Sequence, residues 1–252
     1  MQQLNVKDFF DDNAVDYKDK YNKKDVFYQH FFYERLAETT QKYNFNDKKI
    51  LDIGAGTGAL YDYLLDEGYQ NFTFVGTDVA PNMLAQSNIP KVNRLVGNCY
   101  ELTYPCSHFD YIYMLGVTTY FDRNELHKIL HFIQDKLSAN GKAIITFTNS
   151  KSIDNYVKML LKIPMRLLKN KQFVLTQSFD LHLYNLKEVK AIIDSLSFCL
   201  EEVIYLNQTF FPFSRLLPSA SIKMAGWLKK KIKGEEKMQY LSSDFTIVIS
   251  KK

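Results

Sequence analysis

The chain has 252 residues, 46% of them hydrophobic, 24% charged and 15% aromatic, with a net charge of +4. That is the composition of a globular domain long enough to bury a large core, and it excludes disordered, collagen-like and disulfide-dense chains. Three scattered cysteines and five histidines without ligand spacing predict neither disulfides nor a metal, and no stretch nears the roughly 18 apolar residues of a membrane-spanning helix.

Residues 1–47 read as a helical, polar and aromatic cap, without the basic start and apolar run of a secretory signal, so a cytoplasmic location is expected. From there strands and helices alternate, the signature of a parallel sheet with crossover helices. Strands are predicted at Lys49–Ile53, Asn71–Thr77, Val92–Val96 and Phe109–Leu115, with helices at Thr57–Glu67, from Pro81 to Gln86, and at Arg123–Leu137. Asn140-Gly141 reads as the turn into a fifth strand, Lys142–Thr148. Residues 48–150 thus form the core of a single domain spanning 1–252. Lys151–Gln177 is predicted as two short amphipathic helices broken near Pro164, because proline removes a helical donor and crowds the preceding turn. NLKEVKAIIDSL, Asn185–Leu196, is a helix with a capping-box start. A sixth strand, Leu200–Leu206, is followed by a long connection to a seventh, Asp244–Ser250, and that linkage favours an antiparallel last strand.

The positive charge is concentrated. Residues 151–171 carry a net +5 and residues 207–233 a net +6, which leaves −7 for the rest of a +4 chain. These runs lie in two basic, amphipathic insertions, 151–180 and 207–240, that read as lids. Their lysines alternate with apolar residues, a pattern that suits an anionic or lipid-like small molecule or a peripheral membrane contact, and equally suits solvated helix faces. Nucleic acid is disfavoured, because the stretches match no recognition module and the core is acidic.

The chemistry centres on ILDIGAGTG, Ile50–Gly58. A phosphate loop of the P-loop type needs Lys-Ser/Thr after its last glycine, and here Ala59-Leu60 follows Gly58. A dinucleotide turn is formally matched by Gly54-x-Gly56-x-x-Ala59, but Asp52 sets negative charge beside the turn and nothing basic lies near it in sequence. Asp78, 24 residues after Gly54, ends the second strand, where an acid can accept from both hydroxyls of a ribose. A ribose with an ammonium and no phosphate points to S-adenosylmethionine.

On these residues the chain resembles the class I S-adenosylmethionine-dependent methyltransferases. ILDIGAGTG resembles their first motif, VGTDVAPNML (Val75–Leu84) the second, VGNCYELTYP (Val96–Pro105) the segment under the adenine, FDYIYMLGVTTYFDR (Phe109–Arg123) the fourth strand and its exit, and NGKAIITF (Asn140–Phe147) the fifth strand. The match covers about residues 45–150 in order and spacing. It implies a Rossmann-like, doubly wound, seven-stranded α/β sheet, mostly parallel with an antiparallel last strand, plus the helical lid insertions. It further implies that Gly54, Ala55, Gly56 and Gly58 let backbone approach the donor's methionine part, with Asp52 beside its amino group and Leu115 and Gly116 offering backbone nearby. Asp78 would hold the ribose, Val79 and Met83 the adenine edge, and Asn98 and Cys99 the adenine amine and ring nitrogen. Tyr17 and Tyr21 resemble a tyrosine-bearing N-terminal helix that covers the cofactor in relatives. Two departures stand out: many members carry Asp where Asn98 stands, and His near Tyr120.

The expected reaction is transfer of a methyl group to O, N or C of a small molecule of quinone, sugar-linked or natural-product type. Displacement at a sulfonium needs alignment and exclusion of water, and a base only for a hydroxyl acceptor. His182, in FDLHLYN, and Tyr120 are the candidate catalytic residues, histidine being the side-chain type suited to base chemistry near neutrality. The rival reading is a catalytically silent membrane- or partner-binding protein on the same scaffold.

Overall fold

A computed structural model describes residues 6–19, 26–167, 180–232 and 234–252. Seven strands form one sheet: β1 (Lys49–Ile53), β2 (Thr73–Asp78), β3 (Arg94–Val96), β4 (Phe109–Met114), β5 (Leu137–Thr148), β6 (Phe198–Leu206) and β7 (Asp244–Lys251). Their order is β3-β2-β1-β4-β5-β7-β6. The first five pair in parallel, while β7 runs antiparallel to both β5 and β6. The chain moves outward from β1 to β3, then returns to β4 on the other side of β1. That reversal opens a crevice at the carboxyl ends of β1 and β4, where open α/β sheets place their ligands.

Alternation along each strand divides the core in two. Leu51, Val75, Ile112, Ile145 and Ile247 face one side, where α6 (Arg123–Lys136) brings Leu126, Ile129, Leu130 and Ile133, and α8 (Leu186–Ser195) brings Val189, Ile192 and Ile193. Ile50, Phe74, Tyr113, Ile144 and Val248 face the other, against Leu60 and Leu64 of α4 (Ala59–Asp66). Each such aliphatic side chain contributes about 1.5–3 kcal/mol on full burial, so the sheet is specified by its two-residue period. The Asn185 start of α8 does cap it, its side chain accepting from the Glu188 N–H at 3.0 Å.

Two local expectations fail. Asn140-Gly141 is no turn into β5, because the strand already pairs at Leu137 with Phe109 and carries an irregularity before its regular register resumes at Lys142 opposite Tyr111. Pairing has overridden local turn chemistry. Nor does Pro164 break the helix before it: α7 (Ile153–Leu167) runs through that position, near the end of the helix, where proline removes one intrahelical bond. The rest of the first basic insertion, residues 168–179, lies outside the described residues, as does Tyr21.

Among the described residues, the helices α1 (Val6–Asp12), α2 (Ala14–Asp19) and α3 (Val26–Thr40) precede the sheet. Asp11 ties α1 to α5 (Pro81–Ala85), accepting from the Asn82 backbone N–H at 2.7 Å, and Lys18 donates to the Gln86 carbonyl at 2.6 Å. The connection from β6 to β7 is helical, with α9 (Phe213–Leu216), α10 (Pro218–Lys231) and α11 (Glu235–Leu241).

Candidate functional site

The turn after β1 is fastened to the end of β2. The Gly54 and Ala55 N–H groups both donate to the Thr77 carbonyl, at 2.8 and 2.9 Å. The Gly56 N–H donates to Asp78 Oδ2 and the Ala80 N–H to Asp78 Oδ1, both at 2.9 Å. The Gly97 N–H then donates to the Asp78 carbonyl at 2.9 Å, drawing in the end of β3. One acid thus organises three strand ends. Gly54 sits at φ 73°, and a Cβ there would lie 2.4 Å from Val117 Cγ1, so backbone handedness and close approach both require glycine.

Above these strand ends opens a cleft of about 1190 Å³, its open mouth included. Asp52, Gly54, Ala55, Gly56 and Asp78 line its base; Val79, Met83, Asn98 and Cys99 line one end; Leu115, Gly116 and Val117 line the opposite wall. Phe10, Tyr17 and Tyr120 close over it, with the Phe10 ring edge-on to Tyr17 and to Tyr120 at centroid distances of 5.8 and 5.3 Å. Of the described residues singled out from sequence, Gly58 and His182 are not on the cleft wall. Gly58 occupies the N-cap of α4, and the His182 N–H donates at 2.8 Å to the carbonyl of Thr119, next to Tyr120.

The electrostatics of the cleft turn on Asp52. Its carboxyl is buried and, among the described residues, accepts no hydrogen bond; burial, reinforced by the charge of Asp78, pushes it up to about 8. Asp78 is also raised by burial, against the opposing pull of the Ala80, Gly56 and Val79 backbone N–H groups. Burial pushes the Cys99 thiol up to about 12, which keeps it neutral and unreactive at physiological pH. Asn98 donates from its amide to Glu101 at 3.1 Å, and the Tyr100 hydroxyl donates to Glu125 at 3.1 Å, so this end is polar around an apolar floor.

Arg35 is among the cleft residues that sequence reading missed, with Phe10 and Val117. It projects from α3 onto Gly116, where a Cβ would meet its Nη1 at 2.4 Å, and it pairs loosely with Asp244 at 3.6 Å. Its Nε is buried without a hydrogen-bond partner among the described residues. A signal was present: Phe32, Arg35, Leu36 and Thr39 share one helix face by spacing, Leu36 and Thr39 are buried, and an arginine on such a face calls for an anion. Among the described residues no cluster of three His, Cys, Asp or Glu side chains is placed to hold a metal ion.

Comparison with known proteins bears on this cleft. A sequence model described as a methyltransferase domain matches residues 28–196. A curated but uncharacterized protein of Haemophilus influenzae is 33% identical over 113 residues, which cover 41% of this chain and 43% of that protein. Among solved structures, magnesium protoporphyrin IX methyltransferase from Synechocystis PCC 6803, with bound SAH, superposes with a TM-score of 0.63 at 12% identity, covering 98% of each chain. A SAM dependent methyltransferase from Archaeoglobus fulgidus gives 0.60 at 14% identity, covering 94% of this chain and 99% of that one. At such identities these two structures speak for the fold.

Proposed function

Because the chain belongs to the methyltransferase domain family, we propose that it transfers the methyl group of S-adenosylmethionine to O, N or C of a small-molecule acceptor bound in the same cleft. When bound, the donor supplies a methyl group activated by its sulfonium, taken up by the acceptor through in-line displacement. The observation that carries this reading is Asp52, a buried carboxyl with no cation beside it among the described residues, whose ionisation a cationic ligand would favour. A pyrophosphate would add negative charge there instead, which disfavours a dinucleotide.

The remaining roles follow from position. Arg35, with its unpartnered Nε, is suited to the carboxylate of the donor's amino-acid part, opposite the ammonium held by Asp52. Asp78 keeps lone pairs beyond those engaged by Gly56 and Ala80, available to ribose hydroxyls. Met83, buried and adaptable, and Val79, exposed into the cleft, form the apolar seat for the adenine, with Asn98 and Cys99 at its polar edge. Gly54, Ala55, Gly56, Leu115 and Gly116 give backbone access to the methionine part. Phe10, Tyr17 and Tyr120 would exclude water above it, and Tyr120, on the cleft wall, is the residue we propose faces the acceptor. His182, outside the wall, is not assigned a catalytic role.

Isothermal titration calorimetry tests the proposal. S-adenosylmethionine and S-adenosylhomocysteine are expected to bind, and at about pH 6.5 binding releases a proton as Asp52 ionises, read from the dependence of heat on buffer. Binding of NADH with no response to either sulfur compound would overturn it.

A further inference from the structure

The exposed face of α10 and the short helix before it go beyond that reading. With 3.6 residues per turn, Ser221 and Ala225 fall on one side of α10 and are buried. Lys223, Met224, Trp227, Lys230 and Lys231 fall on the other and are exposed, with Trp227 near the middle of the arc at 57% exposure. Immediately upstream, Phe213, Leu216 and Leu217 are exposed at 57%, 70% and 59%. From Phe213 to Lys231 there is no acidic residue.

Two cations of the stretch turn inward and fix it to α3: Lys229 bonds Glu34 and Glu38, and the Arg215 guanidinium lies 4.8 Å from the Phe27 ring centroid. The other face of α3 supplies Phe32, Arg35 and Leu36 to the cleft. A solvated lysine face has no use for a central tryptophan or for three large apolar neighbours. A tryptophan between lysines, preceded in the chain by exposed Phe and Leu, matches the layered chemistry of a bilayer surface, where indoles sit at headgroup depth, aliphatic groups below them and lysines against phosphates. A nucleic-acid backbone would reward the lysines and leave Leu216 and Leu217 unaccounted for.

We propose that Phe213–Lys231 docks on an anionic lipid bilayer, with α3 joining that surface to the cleft. Since the chain has one tryptophan, Trp227, its fluorescence reports the contact directly. With vesicles of phosphatidylglycerol and phosphatidylcholine, the emission is expected to shift to shorter wavelength and to be quenched by brominated acyl chains. Pure phosphatidylcholine is expected to do neither. The combined variant Lys223→Glu, Lys230→Glu, Lys231→Glu weakens vesicle binding by about tenfold or more, and Leu216→Asp weakens it without altering charge on α10. Retained thermal melting and retained S-adenosylhomocysteine binding certify that both variants fold, and these readouts are independent of docking, so a failed methyltransferase reading and a failed membrane reading are distinguishable. No spectral change on anionic vesicles, an equal change on neutral ones, or a shift that follows protein concentration without vesicles and accompanies a doubled mass would each overturn the proposal, the last in favour of a second copy.

Discussion

Burial makes the Asp52 carboxyl a destabilising group in the ligand-free protein once the pH exceeds its unfolded value. The carboxyl is raised to about 8 in the folded protein, against about 3.9 in an unfolded chain, so the native state holds a proton that the unfolded state has released. Between these values stability falls as pH rises, by at most about 1.4 kcal/mol per unit from this group. The ligand-free Asp52→Asn variant is expected to melt higher than the wild type at pH 8 and equally at pH 4, with S-adenosylmethionine affinity reduced at both, measured by scanning calorimetry and titration; a wild-type melting curve without this pH dependence would remove the buried carboxyl from the account. Asp52 was legible because it lies inside a motif of local spacing. Arg35 left only the weaker signal of its helical spacing with Leu36 and Thr39; its meeting with Gly116 is made by tertiary packing, and no interval along the chain encodes that contact.

At the scale of elements, the turn from β1 to α4 is the most constrained piece of backbone. Gly54→Ala introduces a side chain at positive φ and against Val117, and is expected to cost about 1–3 kcal/mol, a loss of roughly 2–4 °C in Tm for each. The double variant with Val117→Ala recovers the steric part and leaves the dihedral part; equal melting of single and double variants would show that Val117 is not the obstacle. Elements with dense periodic burial, such as α6 and α8, were legible to within a few residues. The start of β5 was not, because Leu137 is held by Phe109 across the sheet while the Asn140-Gly141 pair speaks only for a local turn. Pro164 misled in the same way, its penalty being one bond in a helix of 15 residues.

The whole molecule encloses its cleft by closing an N-terminal cap over the carboxyl ends of the central strands, and Phe10 is the contact shared by the cap's Tyr17 and by Tyr120, in the turn after β4. Edge-to-face pairs of this kind contribute about 0.5–1.5 kcal/mol each, so Phe10→Ala is expected to weaken S-adenosylhomocysteine binding about tenfold through faster release, read by stopped-flow displacement. Unchanged release with unchanged affinity would mean that the cap does not close the site. The position of β7 has a separate consequence, for biosynthesis. Although it follows β6 in the chain, β7 lies between β5 and β6 and pairs with both along nearly its whole length. Until it emerges from the ribosome, two long apolar strands each present an open hydrogen-bonding edge, the arrangement that invites pairing with other chains. The sheet therefore closes only once β7 has joined it, and until then β5 and β6 each keep an edge open to pairing with another chain.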